Sequence, residues 1–239
     1  AGVTLPSPDG ALAEFDPEKK VIDFQFRRRG PLVSMTVDRF TDEVSSDSPA
    51  PGGGSVAALA GSLAAGLAAM VASLTVGKPG HEATWDELSS LAEDAQRVKD
   101  DLLRAVDEDT AAFNGVLAAT RMPKATPEEQ AARAEALEAG YQAASRVPLQ
   151  TARWCLEALT LAASAAEKGN VNSVSDAGVA ALAARAGVEG AALNVLTNLG
   201  AIKDPAFRQA CTSEVETLQR KAEDLCQQVI ARVRSTFRA

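Results

Sequence analysis

The sequence predicts an all-α protein, an up-and-down bundle of about six to seven helices in which small residues line the helix contacts. Three observations predict this class. Alanine supplies 48 of the 239 residues, and alanine has the highest helix propensity. Aromatic residues make up only 4%, whereas β-rich folds draw on aromatic and β-branched residues. Apolar residues also recur at helical spacing through most of the chain beyond residue 35.

The N-terminal region has a different pattern. Residues 21–26 alternate apolar and polar side chains, which is typical of a strand, and the surrounding sequence is rich in acids and prolines. We therefore expect residues 1–34 to form a linker with an isolated strand. Residues 35–239 are expected to form one helical domain.

Apolar periodicity and capping signals predict the helices in chain order. The strongest start is Thr126-Pro127-Glu128-Glu129, a capping box with proline at the first helical position. Pro148 is expected to start or kink a further helix, because proline removes a helical N–H group. The predicted helices cover 36–44, 55–77, 83–120, 126–146, 148–168, 176–199 and 205–237, with a loop over 169–175.

Residues 55–75 are uncharged and about as long as a membrane span. Their large apolar side chains fall on one stripe, and alanine, glycine and serine occupy the opposite face. A helix facing lipid would be apolar and bulky all round, so this pattern favours a helix packed closely inside a bundle. The stripe consists of Val56, Leu59, Leu63, Leu67, Met70, Val71 and Leu74.

Composition excludes several classes of function. The formal net charge is −8, which disfavours sequence-independent nucleic-acid binding. The chain has one histidine, His81, and three cysteines without C-x-x-C spacing, so we expect no metal site and no disulfide framework. Unpaired cysteines favour the cytoplasm. A Ser-His-Asp triad would need His81, which lies in a predicted loop, so catalysis is expected to use carboxylates, amides, hydroxyls and backbone groups.

Asp109 is the most informative single residue. It lies on the apolar stripe of its predicted helix, three residues after Val106 and four before Phe113. A carboxylate in such a place is desolvated and tends to have a raised pKa, which suits acid–base catalysis. The alternative is a structural aspartate that pairs with a facing helix. The neighbouring Asp107 and Glu108 are expected to be solvated charges.

Gly52-Gly53-Gly54-Ser55 opens the predicted helix over 55–77. Glycines allow a ligand or another backbone to approach closely, and free N–H groups at a helix start attract anions or carbonyl oxygens. The alternative is a flexible connector in which Ser55 is an ordinary N-cap.

Amides and hydroxyls concentrate in the loop over 169–175 and in the helix that follows it. The loop can bind a polar ligand through Asn170, Asn172, Ser175 and Asp176, or it can reverse the chain with Ser175 as an N-cap. Asn194 and Asn198 share a helical face, where they can contact a planar heterocycle or bond across helices.

Together these motifs resemble the C-terminal domain of the formiminotransferase-cyclodeaminase family, over about residues 35–235. The matching segments are Ser48-Pro49-Ala50-Pro51-Gly52-Gly53-Gly54-Ser55-Val56-Ala57-Ala58, Asp107-Glu108-Asp109-Thr110-Ala111-Ala112-Phe113, Gly169-Asn170, Ser175-Asp176 and Asn194-Val195-Leu196-Thr197-Asn198-Leu199.

The resemblance implies an all-helical domain that forms a homodimer or a higher homo-oligomer. It implies a cyclodeaminase that converts 5-formimidoyltetrahydrofolate to 5,10-methenyltetrahydrofolate and ammonia, with no separate cofactor and no metal. The charge, the cysteines and the pattern of residues 55–75 add the expectation of a cytoplasmic protein with no nucleic-acid partner and no membrane association. Residues 1–34 would then be the end of a fused formiminotransferase part acting in histidine degradation. Some relatives are methenyltetrahydrofolate cyclohydrolases, and that activity stays open. A non-catalytic helical oligomerisation module is the third alternative.

The resemblance assigns roles to residues unevenly. Asp109 matches the proposed catalytic aspartate at the second acidic position of an Asp-x-Asp motif. The remaining matching positions are expected to bind substrate: Gly52, Gly53, Gly54, Ser55, Asn170, Asn172, Ser175, Asp176 and Asn194.

Overall fold

A computed structural model describes residues 4–6, 12–14 and 30–237. In these described residues two short antiparallel strands precede six α-helices, so the predicted all-α class is confirmed for the domain. The predicted strand over 21–26 lies outside the described residues. The elements are β1 (Thr4–Pro6), β2 (Leu12–Glu14), α1 (Val37–Val44), α2 (Gly53–Thr75), α3 (Trp85–Thr120), α4 (Pro127–Lys168), α5 (Val174–Leu199) and α6 (Pro205–Thr236).

Helix α2 is central, because α3, α4 and α5 all pack against it. Its two neighbours α3 and α5 run antiparallel to it. Asp109, late in α3, lies beside Ser55 at the start of α2. Asn170, just before α5, donates its backbone N–H to Thr75 Oγ1 at the end of α2, 2.9 Å away. The start of α2 and the end of α5 therefore lie at one end of the bundle.

Small residues make the close contacts of α2. Ala58, Ala65 and Ala72 are fully buried. A Cβ on Gly61 of α2 would overlap the Sγ atom of Cys155. This thiol is packed in the core, and burial raises its pKa to about 12, so it has no thiolate chemistry near neutral pH.

Four large apolar side chains of α2 are exposed, whereas Val71 is fully buried; the exposed ones are Val56, Leu63, Met70 and Leu74. Leu63 is 60% exposed and Val56 41% exposed, while the alanine face is buried. Helix α2 thus packs inside the bundle as predicted, mainly through its small-residue face, because small side chains let three neighbouring backbones approach. By length and composition, α2 and the segment 171–199 could each cross a membrane, and 61% and 44% of their apolar windows are buried in the bundle.

Helix α4 runs without a break through Pro148, so the predicted start of a new helix at this proline is wrong. Proline cannot donate to the carbonyl four residues earlier, that of Ala144. Asn198 of α5 donates its side-chain amide to this oxygen at 2.9 Å. A neighbouring helix therefore supplies the hydrogen bond that proline withholds, and the helix continues.

One predicted helix start is confirmed, and one predicted N-cap is wrong. Thr126 forms the predicted capping box with Glu129. The predicted N-cap at Ser175 is wrong, because α5 begins at Val174 with Ser173 in the N-cap position. Ser175 lies exposed in the first turn, since a short 3₁₀ helix over Val171–Ser173 brings the chain into α5 earlier than expected.

Candidate functional site

The candidate site lies where the glycine-rich start of α2 meets α3. Asp109 is half-buried there, and its carboxyl group lies so close to the backbone of α2 that a Cβ on Gly54 would overlap it. The Ser55 hydroxyl is 3.3 Å from Asp109 Oδ2. Ser55 is itself fully buried at the third helical position, so it is not the N-cap; that position belongs to Gly52.

The surroundings of Asp109 favour its protonated form. Burial raises the pKa of this carboxyl above the usual aspartate range, and hydrogen bonds from the Ser55 side chain and backbone oppose the rise only in part. A carboxyl group poised in this way can accept and return a proton nearer to neutral pH than a solvated aspartate can. The predicted desolvation of Asp109 is confirmed.

The Ser55 hydroxyl has a single proton and three oxygen neighbours. The nearest is the carbonyl of Val106 at 2.8 Å, and Asp109 Oδ2 and Thr110 Oγ1 are both 3.3 Å away. The hydroxyl can donate to only one of these oxygens at a time, so a bond to Asp109 Oδ2, which favours the carboxylate form, competes with the shorter bond to Val106. Thr110 was not singled out by its spacing, although it directly follows Asp109.

Asn194 of α5 borders the same site. A Cβ on Gly53 would lie 3.2 Å from Asn194 Nδ2, so the amide faces the first turn of α2. Its Nδ2 donates to the carbonyl of Gly190 in its own helix at 2.8 Å, which directs the remaining amide oxygen away from that helix. The structure therefore brings Gly52, Gly53, Gly54, Ser55, Asp109 and Asn194 together.

The amide-rich loop does not join this group within one chain. Asn170 is buried beside Thr75, which lies twenty residues, or about 30 Å of helix, from Ser55. The Asn170 side chain accepts the N–H of Asn172 at 3.0 Å and shapes the turn. Asn172 and Ser175 are exposed and Asp176 is half-buried at this far end.

Asp107 has a role that the sequence did not reveal. Its carboxylate accepts the backbone N–H groups of Leu32, at 2.8 Å, and Val33, at 3.3 Å. Leu32 packs into a small cluster with Val106. The prediction that Asp107 is a solvated charge is therefore wrong, because it anchors the segment before α1 to α3; Glu108 is exposed as expected.

The described residues contain no group of three or more histidine, cysteine, aspartate or glutamate side chains that could hold a metal ion. His81 lies in the turn after α2, at the end of the bundle opposite Asp109. It therefore cannot complete a Ser-His-Asp arrangement with Ser55 and Asp109 in the same chain. The chemical groups at the candidate site are one carboxyl, hydroxyls, an amide and the N–H groups of a helix start.

A family model described as formiminotransferase-cyclodeaminase matches residues 36–217, which is most of the chain. The chain belongs to this family. The match begins one residue before α1 and continues into α6, so it includes the whole candidate site.

Individual relatives bear two different names. A methenyltetrahydrofolate cyclohydrolase from Methylorubrum extorquens is 39% identical over 84% of the chain and 96% of its own length. The formimidoyltransferase-cyclodeaminase of Rattus norvegicus is 35% identical over 89% of the chain, which spans 40% of the rat protein. A crystal structure of formiminotetrahydrofolate cyclodeaminase from Thermotoga maritima is 29% identical, with a TM-score of 0.76 over 84% of the chain and 97% of that structure.

Proposed function

We propose that the chain is a formimidoyltetrahydrofolate cyclodeaminase in which Asp109 transfers the proton. The observation that carries this proposal is the half-buried Asp109 carboxyl, with its pKa raised by burial, held against the glycine-rich start of α2. Family membership and the names of its relatives support a folate substrate with a one-carbon bridge.

The reaction needs one group that takes up a proton and gives it back. N10 of the folate attacks the carbon of the protonated formimidoyl group. The new C–N10 bond leaves N10 positively charged, with a proton that it must lose. Asp109 as carboxylate removes that proton and then donates it to the amino group of the tetrahedral intermediate. The C–N bond to this group breaks, ammonia leaves, and the electron pair of a ring nitrogen completes the methenyl cation.

A cyclohydrolase is the second candidate, favoured by the 39% identity to a relative of that name along 96% of its length. Here water adds to the methenyl carbon and gives a proton to Asp109. The carboxylic acid then protonates one of the two ring nitrogens, its bond to carbon breaks, and the hydroxyl proton passes to water to leave a formyl group. Both reactions use the same single carboxyl, so the geometry of Asp109 serves either.

Two substrates separate these functions. Purified protein is incubated with 5-formimidoyltetrahydrofolate while ammonia and methenyl absorbance are measured, and separately with 5,10-methenyltetrahydrofolate while the loss of that absorbance is measured. Ammonia release with methenyl formation supports the cyclodeaminase. Methenyl hydrolysis above the buffer rate without ammonia release supports the cyclohydrolase. Neither reaction and no folate binding would contradict both and leave an oligomerisation module.

A homodimer is part of the proposal. Helix α4 packs behind both α2 and α5, and the opposite faces of these two helices expose large apolar side chains. Examples are Leu63 on α2, 60% exposed, and Leu182 and Leu193 on α5, 52% and 64% exposed. Unpaired apolar surface of this kind is typical of a subunit interface. A second copy of the chain, presenting the same two helices, is the proposed occupant.

A two-fold axis through this face would also bring together the two parts of the predicted site, which lie far apart within one chain. The Asp109 site and the loop with Asn170 and Asp176 lie at opposite ends of the same helix pair. Antiparallel docking of two copies brings the loop of each to the Asp109 site of the other. We therefore propose that Asn170, Asn172, Ser175 and Asp176 act on the substrate bound at the neighbouring subunit.

A cyclodeaminase also requires a source of the formimidoyl group. In the rat relative, the matched region is 40% of a protein named for both a formimidoyltransferase and a cyclodeaminase. We propose that a formimidoyltransferase, fused or separate, supplies the substrate in the cytoplasm.

A further inference from the structure

The hydroxyl of Thr110 differs from that of most helical threonines in the described part of the chain. A threonine inside a helix can donate its hydroxyl proton to the carbonyl four residues earlier. Thr110 instead lies 3.3 Å from the Ser55 hydroxyl of the neighbouring helix α2. The threonines that follow the ordinary pattern, at 2.7–3.3 Å, are Thr41, Thr75, Thr120, Thr151, Thr160, Thr197, Thr217 and Thr236.

Ser55 occupies the acceptor that Thr110 would ordinarily use. The carbonyl four residues before Thr110 belongs to Val106, and Ser55 Oγ lies 2.8 Å from it. Thr110 is half-buried where α3 packs on α2. Its hydroxyl therefore bonds across the helix contact to Ser55, the same residue that touches Asp109.

The bond between the two hydroxyls uses the Thr110 proton. Ser55 has one proton, for which the Val106 carbonyl and an ionised Asp109 compete as acceptors. Whichever of them takes it, Ser55 Oγ keeps lone pairs that can accept from Thr110. Thr110 can therefore donate to Ser55 in both protonation states of Asp109.

This donation favours the ionised form of Asp109. When Ser55 donates to the carboxylate, the bond that it accepts from Thr110 polarises its O–H group, and such a chain of hydrogen bonds strengthens each member at a buried site. The Val106 carbonyl that Ser55 then leaves is also the ordinary acceptor for Thr110, which can reach it by rotation of its side chain. Both arrangements make it easier for the Ser55 proton to turn from Val106 to Asp109.

Charged side chains do not dominate this site in the described residues. Burial and the bonds from Ser55 are the causes of the pKa shift of Asp109, and helix α2 carries no charged residue. The charged groups on the helices around the site have partners of their own or face solvent. They include Asp107, bonded to Leu32 and Val33, and exposed Glu108 on α3, Arg146 against Phe207 and Arg153 paired with Glu214 on α4, and Glu189 bonded to Gln219 on α5.

We propose that Thr110 is a positioning residue of this site: through its bond to Ser55 Oγ it directs the Ser55 proton to Asp109 each time Asp109 becomes a carboxylate. In both candidate reactions Asp109 begins as a carboxylate, takes a proton from N10 or from water, and gives it back. Thr110 then sets the pH at which Asp109 can begin this cycle, without touching the substrate. The part of Thr110 in turnover rests on the proposed function, whereas its effect on the Asp109 carboxyl does not.

The kinetic test removes the Thr110 hydroxyl and keeps the shape of the side chain. Thr110→Val is compared with wild type, with Thr110→Ser, which keeps a hydroxyl, and with Thr120→Val, which removes a hydroxyl bonded within α3. The value of kcat/KM for the reaction that the wild type performs is measured from about pH 5 to pH 9, and it rises as pH passes the pKa of the carboxylate base. We expect the midpoint of this rise to move up by about 0.5–1 pH unit in Thr110→Val, which is a three- to tenfold loss of rate below the midpoint with an unchanged plateau. Thr110→Ser and Thr120→Val should keep the wild-type midpoint.

A second measurement follows the ionisation of Asp109 without substrate. Carbon-13 NMR of protein labelled at the aspartate carboxyl carbons is recorded over the same pH range, and the Asp109 signal is assigned by its loss in Asp109→Asn. We expect the same upward shift of the midpoint in Thr110→Val. In a Ser55→Ala background Thr110→Val should cause no further shift, because Thr110 acts through Ser55.

The two measurements separate this role from the proposed function. The expected NMR shift in a protein that turns over neither folate supports the role of Thr110, and only the proposed function fails. Turnover with an unchanged or lowered midpoint in Thr110→Val overturns the role and leaves the function standing. An equal shift with and without Ser55 overturns the route through Ser55. A loss of rate at every pH without a change of midpoint would show a threonine needed only for packing, and this also overturns the proposal.

Discussion

The hydroxyl of Ser55 lies 3.3 Å from the Asp109 carboxyl and 2.8 Å from the carbonyl of Val106, one turn earlier in α3. The serine thus joins the first turn of α2 to the helix that carries the acid. Because Ser55 is fully buried, water does not compete for these bonds. The hydrogen-bond partner of the candidate acid is therefore a buried residue inside α2, and the alternative in which Ser55 is the N-cap is wrong.

Gly54 is expected to be essential for activity, because the absence of a side chain leaves room for the Asp109 carboxyl. A Cβ at this position would overlap the Asp109 carboxyl, so Gly54→Ala should displace it and lower kcat by about ten- to a hundredfold. Gly66→Ala in the same helix is the control, since nothing lies within 4 Å of its Cβ position. That change should stabilise the fold by about 0.5–1 kcal/mol and leave kcat unchanged. Equal activity of both variants would show that the close approach at Gly54 has no catalytic importance.

The raised pKa of Asp109 predicts a pH-dependent stability difference. The folded state holds the Asp109 proton more tightly than the unfolded chain, so the stability of the wild type falls as pH rises above the unfolded pKa of about 3.9. Asp109→Asn carries no charge at any pH and escapes this loss. Its Tm should exceed that of wild type near about pH 7 and the difference should close below about pH 4. A wild type that is the more stable protein at neutral pH would indicate that Asp109 is a structural anion.

Asn198 and Pro148 are predicted to be energetically coupled. Asn198→Ala leaves the buried carbonyl of Ala144 without its donor and should cost about 1–3 kcal/mol in the free energy of unfolding. Pro148→Ala restores a backbone N–H that can bond to the same oxygen, so the cost of Asn198→Ala should fall by at least half in that background. Chemical denaturation of the four proteins measures the coupling, with exposed Thr197→Ala as the control. Equal costs in both backgrounds would mean that the amide acts elsewhere.

The proposed dimer predicts complementation between subunits. Asp109→Asn and Asp176→Asn should each have low activity, because each removes one half of every composite site. Co-expression of the two variants should restore about one quarter of wild-type activity, since half of the dimers would hold one intact site. No recovery in mixed dimers isolated with two affinity tags would place all functional residues within one chain.

The sequence predicted the parts of this molecule that are local. Helix positions follow from periodicity and caps, and the desolvation of Asp109 follows from its place between Val106 and Phe113. Contacts between segments that are distant in the chain could not be predicted from the sequence. Asp107 bonds to Leu32, seventy-five residues away, and the carbonyl freed by Pro148 is satisfied from another helix. Neither partner leaves a periodic signal.

The exposure of the large residues of α2 has a related cause. A stripe of large apolar residues shows that two faces of a helix differ. It does not show which of the two faces packs against the neighbouring helices. Here the alanine face is buried because it permits closer approach of three backbones, and Leu63 remains outside. Likewise, Asn170 and Asp109 belong to one family pattern although one chain keeps them at opposite ends of α2. The proposed dimer explains the shared pattern, because it would bring Asn170 of one subunit to the Asp109 site of the other.

The most direct test of the central claim is the single-turnover rate of Asp109→Asn with 5-formimidoyltetrahydrofolate and with 5,10-methenyltetrahydrofolate. Glu108→Gln, an exposed acid one residue away, is the matched control. We predict that Asp109→Asn keeps the circular dichroism spectrum of the wild type and loses a factor of about 10²–10⁴ in the rate of whichever reaction the wild type performs, while Glu108→Gln keeps the full rate. A folded Asp109→Asn with a near-normal rate would contradict the assignment of Asp109 as the proton-transferring group.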